Sequence, residues 1–398
     1  MSVKKVVVIP SWYPTNKKPF HGIFFQEQSQ ALSRIYDVII FLLPKLLWWR
    51  TAIATRFNLE DPIESRSGIK VYQGQVIVPP RLPKKIFPYF FDWATEKCFK
   101  DLLKCWGKPD LIQVHNIVPA GWIGMRLGKQ HNIPVVLTEH SGPHRSDAQT
   151  DNDWYKIRTA LKRVNKVVAV SPSLKSKIQD FQSGLDVSVV GNLTKTDYFT
   201  PDHHLKKEVN SQDKIHFLCI SDLIREKGIH FLFEAAIQLI KRHFGNFQII
   251  IGGNGPELSK LKSLAIESDI YYSHCQFLGD LTREEVKYWM QRCDVFVLPS
   301  LGETFGVVNI EAMACGKPVI STRCGGPEFV VTPETGILVP PADSESLANA
   351  MKGFITGQYK FESSIICKSV KDRFGEDAFL NNISMVYEEV WASNVSIS

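Results

Sequence analysis

The chain has 398 residues, of which 44% are hydrophobic and 22% charged, fractions close to those of soluble globular proteins. A chain of this length can form two or three domains with ample cores, and no run approaches the roughly 18 apolar residues of a membrane-spanning helix. The eight cysteines form no CxxC pair, which argues against a disulfide framework or a metal cage.

Positive charge is concentrated in the first half. Residues 1–199 contain 28 Lys and Arg against 16 Asp and Glu, a net of +12, whereas residues 200–398 contain 19 against 25, a net of −6. This asymmetry suggests two domains with different partners, and the basic half suits anionic lipid, nucleic acid or an acidic acceptor. The first apolar run stops at Pro10 without a cleavage site, which predicts a cytoplasmic location.

Short apolar runs alternate with helical patterns along the chain. Several runs are unbroken Val, Ile and Leu, which is typical of parallel strands covered on both faces. In chain order, the predicted strands are Val3–Ile9, Val38–Leu43, Lys70–Val78, Leu111–Val114, Val135–Thr138, Val167–Val170, His216–Ile220, Phe247–Ile251, Gln276–Leu278, Val295–Leu298, Val319–Ser321 and Gly336–Val339.

Helical segments between these runs, such as Phe231–Arg242, predict βαβ units and an α/β fold of two doubly wound Rossmann-like domains. The polar segment Asn192–Pro201 separates the two strand-rich halves. We place an N-terminal domain at residues 1–196 and a C-terminal domain at residues 197–375. A last helix within residues 376–398 is expected to join the first domain.

In open α/β sheets, ligands bind beyond the carboxyl ends of the strands, so the loops that follow strands are the candidate sites. Gly252–Glu257 (GGNGPE) lets a ligand approach the backbone, although such a glycine turn is commonly no more than a turn. Ser221–Gly228 (SDLIREKG) sets Arg225 and Lys227 near the sheet edge, where they suit a diphosphate or form a solvated polar loop.

The segment Leu301–Thr322 (LGETFGVVNIEAMACGKPVIST) is mostly apolar but carries two acids. Its pattern predicts a loop at Glu303 and a buried helix over Val308–Ala314 that contains Glu311. A buried carboxylate needs partners, and it can accept from two neighbouring sugar hydroxyls at once. The N–H groups between the acids, at the helix start, favour phosphate. The alternative, a dipole-favoured acid and a surface Glu, is disfavoured by the apolar flanks.

This segment resembles the E-x7-E signature of retaining glycosyltransferases of the GT-B fold, family 4. Shorter segments along nearly the whole chain resemble other landmarks of that family. They are Ser11–Pro14 with Gly22–Leu32, Val135–His140, Val170 and Ser171 with Asn192, Glu226–Gly228, Gly252–Pro256, Cys324–Val330 and Thr335–Pro340.

The resemblance implies a nucleotide-sugar donor, a UDP- or GDP-sugar, held by the C-terminal domain. It implies that Glu311 binds the ribose hydroxyls, that Glu303 faces the donor sugar and that Lys227 neutralises the diphosphate leaving group. It also implies that His140 lies near the acceptor and the reacting carbon. The implied donor-binding residues besides Glu311 are Gly22, Arg225, Gly253, Phe305, Gly306 and Val307.

Two positions depart from the family pattern. The family usually has Arg five residues before the lysine, where this chain has Asp222, and an acid there would repel a diphosphate. Arg225 is the candidate replacement. In the linker, Leu193–Lys195 stands where Gly-Val-Asp is usual, which affects the expected hinge.

The resemblance also implies same-face transfer with retention of configuration, no side-chain nucleophile, no cofactor and no metal. The expected acceptor is a glycan or a lipid-linked molecule, in cell-surface polysaccharide or glycolipid synthesis. Two other hypotheses stay open: an epimerase or hydrolase of the same fold, and a non-catalytic, membrane-docked nucleotide-sugar-binding partner, which Asp222 favours.

His140 follows a predicted strand beside Glu139, which favours a site role over a core-edge role. His115 also ends a predicted strand, with both roles equally open. His21 and His144 lie in candidate cleft loops and are interpreted as having no site role. The segment Arg81–Lys108 contains seven Lys and Arg, three acids and seven aromatic residues. It suits peripheral contact with anionic lipid at the inner face of the cell membrane, or an ordinary packed helix. No nucleic-acid-binding module is recognised, so no nucleic acid partner is expected.

Overall fold

The computed structural model describes residues 3–15, 22–48, 68–78, 82–83, 85–142, 150–202 and 214–395. The chain forms two compact units. The first comprises Met1–Val170, Leu174–Val190 and Phe379–Ser398, and the second comprises Ser171–Ser173 and Gly191–Ala378.

The first unit is built on a parallel sheet. Its strands in the described part of the chain are β1 (Lys5–Pro10), β2 (Asp37–Trp48), β3 (Lys70–Val78), β4 (Leu111–His115), β5 (Val135–Glu139), β6 (Lys166–Ala169) and β7 (Val187–Val189). Their order across the sheet is β3-β2-β1-β4-β5-β6-β7. Because the order reverses next to β1, the carboxyl ends of β1 and β4 flank the switch point where such sheets bind ligands.

Helices connect β1 to β2 and each consecutive pair of strands from β3 to β7, which is the usual connection of parallel strands. They are α1 (Ile23–Leu32), α2 (Phe87–Trp106), α3 (Trp122–His131), α4 (Asp151–Arg163) and α5 (Pro172–Phe181). Helix α4 starts at a capping box, in which the Thr150 side chain accepts from the Asp153 N–H and the Asp153 carboxylate accepts from the Thr150 N–H.

The second unit has the same plan. Its strands among the described residues are β8 (Ile215–Ile220), β9 (Phe247–Gly252), β10 (Cys275–Gly279), β11 (Val295–Leu298), β12 (Val319–Thr322) and β13 (Gly336–Val339), in the order β10-β9-β8-β11-β12-β13. The helices are α6 (Ile229–Lys241), α7 (Leu258–Glu267), α8 (Arg283–Arg292), α9 (Val307–Ala314), α10 (Pro327–Val330), α11 (Ser344–Ile355) and α12 (Ser363–Phe374).

The last helix, α13 (Glu376–Val395), returns to the first unit. The Tyr387 hydroxyl, fully buried, donates to Gln113 Oε1 at 2.9 Å. The Trp391 indole N–H donates to the Asp110 carbonyl at 3.0 Å. The end of the chain therefore completes the packing around β4.

The predicted α/β fold of two doubly wound units is confirmed, and all twelve predicted strands are present within a few residues of their predicted bounds. Strand β7 was not predicted, because Val187–Val189 is only three residues long and its middle residue is a serine. In the part of the chain that the structure describes, no helix has the length and apolar character needed to span a membrane.

Candidate active site

Two loops meet at the carboxyl edge of the second sheet. They follow β8 and β11, which are neighbouring parallel strands. Gly228 has a φ of +64°, and a Cβ there would lie 2.1 Å from the Pro299 carbonyl oxygen, so only glycine fits. The Leu301 N–H donates to the Glu226 carbonyl at 2.8 Å. The turn Glu226–Gly228 is therefore fixed to the loop that carries Glu303.

Glu303 forms an ion pair with Lys227 across these two loops. Lys227 Nζ lies 2.5 Å from Glu303 Oε1, and the Ser300 hydroxyl donates to the same oxygen at 3.0 Å. Both charged side chains keep a little exposure, 22% for Lys227 and 11% for Glu303. Glu303 thus lies in a loop, as predicted, and the Lys227 ammonium neutralises its charge.

Glu311 lies inside α9 and is 3% exposed, as expected for an acid on a buried helix. Its partner is Arg283, whose Nη1 lies 2.6 Å from Glu311 Oε1. Arg283 was not predicted from the sequence, because the pair spans 28 residues of chain. A local signal that could have pointed to it is the Thr282–Glu285 capping box, which marks a helix start directly after a strand and its turn.

The backbone between the two acids is held by a buried aromatic ring. Phe305 is 1% exposed, and its ring centroid lies 5.4 Å from that of Phe374. Gly326 packs so closely that a Cβ there would lie 2.2 Å from the Phe305 nitrogen. Gly306, the N-cap residue of α9, has a φ of +86°, and no side chain caps this end of the helix. The N–H groups at the start of α9, including that of Val307, therefore suit an anion.

Gly253 lies where the loops after β8 and β9 touch. It has a φ of +119°, and a Cβ there would lie 2.0 Å from the Ser221 carbonyl oxygen. The Leu223 N–H donates to the Asn254 carbonyl at 2.8 Å. The close approach that requires glycine here is to the protein's own backbone.

Asp222, which stands where the family usually has Arg, and Arg225, its candidate replacement, are both exposed. Arg225 belongs to a short 3-10 turn, Arg225–Lys227, and Asp222 lies just before it in the same loop. The Asp222 carbonyl accepts from the Ile224 N–H at 2.9 Å, so its main chain is part of the turn while its side chain is exposed.

In the first unit, His140 and His115 lie at the carboxyl ends of neighbouring strands and contact each other. His140 Nε2 is 3.1 Å from His115 Nδ1, and the Phe25 ring packs on both imidazoles. Burial lowers the pKa of His115 to about 3, so its imidazole is neutral at physiological pH. Because one ring must donate and the other accept, His115 fixes the orientation of His140.

Glu139 organises the loops around these histidines. Its Oε2 accepts from the Ile117 N–H at 2.8 Å, and its Oε1 accepts from the N–H groups of His140, Ser141 and Gly142 at 3.1, 2.7 and 2.9 Å. The side chain is 1% exposed. A single carboxylate thus ties the loop after β4 to the loop after β5.

Gly22 is the N-cap residue of α1, with a φ of +84°, and a Cβ there would lie 2.8 Å from Trp12 Cδ1. In the linker, where Leu193–Lys195 replaces the usual Gly-Val-Asp, Leu193 and Thr194 are buried. The Thr194 N–H donates to the Phe374 carbonyl at 2.9 Å.

The candidate histidines His21 and His144 lie outside the described residues.

The described ranges contain no group of three or more His, Cys, Asp or Glu side chains suited to a metal ion. Each of the two acids of the candidate site lies instead beside a basic side chain, Glu303 beside Lys227 and Glu311 beside Arg283.

Comparison with known protein families identifies the class. Residues 22–198 match the model of Glycosyltransferase Family 4, and residues 202–370 match the model of Glycosyl transferases group 1. Together the two matches cover most of the chain, which therefore belongs to the family 4 glycosyltransferases of the GT-B fold.

Individual relatives span most of the chain as well. A Bacillus subtilis glycosyltransferase, TuaC, whose name assigns it to teichuronic acid biosynthesis, is 28% identical over 87% of this chain and 88% of its own length. The D-inositol 3-phosphate glycosyltransferase of Corynebacterium jeikeium is 28% identical over 71% of this chain and 72% of its own.

Solved structures share the fold at lower identity. Sucrose-phosphate synthase from Thermosynechococcus elongatus superposes with a TM-score of 0.76 and 24% identity, covering 98% of this chain and all of that one. Anabaena HepE in complex with UDP superposes with a TM-score of 0.73 and 18% identity, over 97% of this chain and 100% of its own.

Proposed function

We propose that this glycosyltransferase moves a hexose from a UDP- or GDP-sugar to a glycan or lipid-linked acceptor with retention of configuration. The route we favour is cell-surface polysaccharide or glycolipid synthesis, which the teichuronic acid biosynthesis in the name of TuaC supports. HepE, which shares the fold, was solved with UDP and with UDP-glucose, which supports a nucleotide-sugar donor here.

One observation carries the proposal. Two largely buried carboxylates of one unit, Glu303 and Glu311, flank the uncapped N-terminus of α9, and each is paired with a cation. A diphosphate fits the N–H groups at the start of α9, where the helix dipole favours negative charge. The vicinal hydroxyls of a ribose fit Glu311, and the hydroxyls of the donor sugar fit Glu303.

In the proposed reaction, the bond between the anomeric carbon and the diphosphate oxygen breaks while the acceptor oxygen bonds to the same face of that carbon. The acceptor proton passes to the departing phosphate oxygen. Lys227 and the N–H groups of residues 305–307 stabilise the negative charge that develops on the phosphate. Arg225 is the second cation beside the diphosphate, His140 contacts the sugar near the reacting carbon, and the main chain at Gly22 and Gly253 contacts the phosphates. No metal takes part in this scheme.

The test starts from a panel of UDP-, GDP- and ADP-sugars in a thermal-shift assay, because a ligand of the native state raises the unfolding temperature by mass action. Donor consumption is then measured with and without candidate acceptors. We expect Glu311→Gln to lower kcat/KM for transfer by about ten- to a hundredfold while the protein remains folded. Glu267→Gln, the same change at an exposed acid on α7, is the matched control.

Other outcomes identify the competing functions. Complete turnover of the donor without any acceptor would indicate an epimerase or hydrolase. Binding without turnover, whatever the acceptor, would indicate a non-catalytic nucleotide-sugar-binding protein. Transfer by Glu311→Gln at the wild-type rate would contradict the assignment of the acid.

We also propose that the start of α2 contacts anionic lipid. Helix α2 buries Phe99 against the unit, whereas Phe87, Tyr89 and Trp93 are 38%, 75% and 53% exposed, and Lys97 Nζ lies 5.6 Å from the Trp93 ring centroid. Exposed aromatic rings beside lysines suit the headgroup region of a membrane. Co-sedimentation with phosphatidylglycerol vesicles should fall for Tyr89→Ser with Trp93→Ser and be unchanged for exposed Tyr272→Ser. Equal, salt-insensitive recovery of all three would contradict it.

A further inference from the structure

Arg283 lies at a fixed position at the first turn of α8. The Thr282 side chain accepts from the Glu285 N–H at 3.2 Å, and the Glu285 carboxylate accepts from the Thr282 N–H at 2.8 Å. Such a reciprocal cap fixes the first residue of a helix. The guanidinium of Arg283 is therefore projected from a rigid helix start towards α9.

The guanidinium is held between an acid and an aromatic ring. Its Nη1 is 2.6 Å from Glu311 Oε1, and its central carbon is 4.5 Å from the centroid of the Phe199 ring. Phe199 is fully buried, and the Arg283 side chain is 17% exposed. A planar guanidinium stacked on a ring loses little freedom when it binds a carboxylate, so it can orient that carboxylate better than lysine can.

Helix α8 also contacts the residues on either side of Phe199. Side chains four residues apart on one face of the helix contact the linker segment 198–200: Lys287 Nζ lies 4.9 Å from the Tyr198 ring centroid, and the Gln291 amide donates to the Thr200 carbonyl at 2.7 Å. The linker segment, Arg283 and Glu311 thus form one connected cluster within the second unit.

We propose that Arg283 is a positioning residue for the ribose of the donor, supported by Phe199. By binding Oε1 of Glu311, it directs Oε2 towards the two ribose hydroxyls. This inference rests on the proposed function, since it deepens the role assigned to Glu311. It predicts that the Arg283 contribution depends on the ribose hydroxyls and not on the base or the phosphates.

The experiment compares nucleoside diphosphates with and without these hydroxyls. UDP, GDP and their 2′,3′-dideoxy forms are titrated by calorimetry against wild type, Arg283→Gln, Glu311→Gln and the double variant. Wild type should bind the ribose form about ten- to a hundredfold more tightly than the dideoxy form, the range for hydrogen bonds to a charged group. Arg283→Gln should lose most of this preference and keep its affinity for the dideoxy form.

Two further variants keep the test decisive. If Arg283 acts through Glu311, the double variant should bind no more weakly than Glu311→Gln alone. Phe199→Leu retains apolar volume without the ring, and it should lose part of the ribose preference even if Arg283→Gln does not fold. The matched control is Arg292→Gln at the other end of α8, where the guanidinium lies over Tyr288 instead.

The outcomes separate this inference from the proposed function. Equal weakening of the ribose and dideoxy forms by Arg283→Gln, or an undiminished ribose preference, would overturn the role of Arg283 while leaving nucleotide binding in place. Failure of wild type to bind any of the nucleotides would overturn the proposed function and this inference with it.

Discussion

Glu139, the last residue of β5 in the first unit, and Glu311, inside α9 in the second, are both buried glutamates, yet different kinds of donor hold them. Glu139 accepts hydrogen bonds from main-chain N–H groups of two loops. Glu311 is held by the side chain of Arg283, and Glu303, in the same unit, by the side chain of Lys227. The first arrangement fixes the backbone, whereas the second fixes only the acid.

The difference indicates which acids can exchange partners. Main-chain donors cannot leave Glu139 without unfolding their loops, so that carboxylate belongs to the scaffold. The Lys227 ammonium can rotate from Glu303 to a phosphate, and a sugar hydroxyl can then donate to Glu303 in its place. We therefore expect changes at the acid–cation pairs to affect chemistry first, and changes around Glu139 to affect stability first.

The largest effect is expected at Lys227. Lys227→Met removes the cation that is proposed to neutralise the leaving phosphate, and kcat/KM for transfer should fall by about 10² to 10³. Lys260→Met is the control, because Lys260 is 75% exposed and pairs with Glu257 on the surface of the same unit. Loss of folding in a thermal scan, with no specific loss of rate, would place Lys227 among the scaffold residues instead.

Next is Glu139→Gln, which replaces one acceptor oxygen by a donor. The Ile117 N–H, or one of the N–H groups on the other oxygen, then faces an amide N–H, and the free energy of unfolding should fall by about 3 kcal/mol in urea titrations. Glu311→Gln should cost less stability, since its amide oxygen still accepts from Arg283. Equal stability losses would remove the distinction between the two acids.

Gly228→Ala tests the backbone that carries Lys227. The new Cβ would require a positive φ in an L-residue and would lie 2.1 Å from the Pro299 oxygen. The unfolding free energy should fall by about 2 kcal/mol. At Gly302 in the adjoining loop, a Cβ would have no heavy atom within 4 Å and φ is not positive, so Gly302→Ala should be nearly neutral. A neutral result at Gly228 would contradict the close packing of the two loops.

The smallest effect is a pH dependence from His115. Burial lowers its pKa from 6.5 to about 3, so between these values the unfolded chain binds a proton that the folded chain does not. Stability is therefore lost as the pH falls below 6.5. From pH 6 to pH 5, His115 should contribute about a tenfold change in the unfolding equilibrium constant. His115→Gln should remove this part, and an unchanged slope would contradict the lowered pKa.

The fold could be predicted from the sequence because several buried parallel strands are unbroken apolar runs, as at Val295–Leu298. The loop position of Glu303 and the helical position of Glu311 followed from the same local signals. Their partners did not, because Arg283 reaches Glu311 only after α8 and α9 pack together. The role of Glu139 was equally inaccessible, since its donors are main-chain groups that every sequence has.

The return of α13 to the first unit has a consequence for synthesis. The Tyr387 hydroxyl and the Trp391 indole bind groups near β4 that emerge from the ribosome more than 270 residues earlier. Until the final helix is made, Gln113 lacks the hydroxyl it accepts from and the surface around it is uncovered. Packing of the first unit is therefore completed only when α13 has been synthesised. A product that stops before Phe379 would leave the surface around Gln113 exposed to chaperones and proteases.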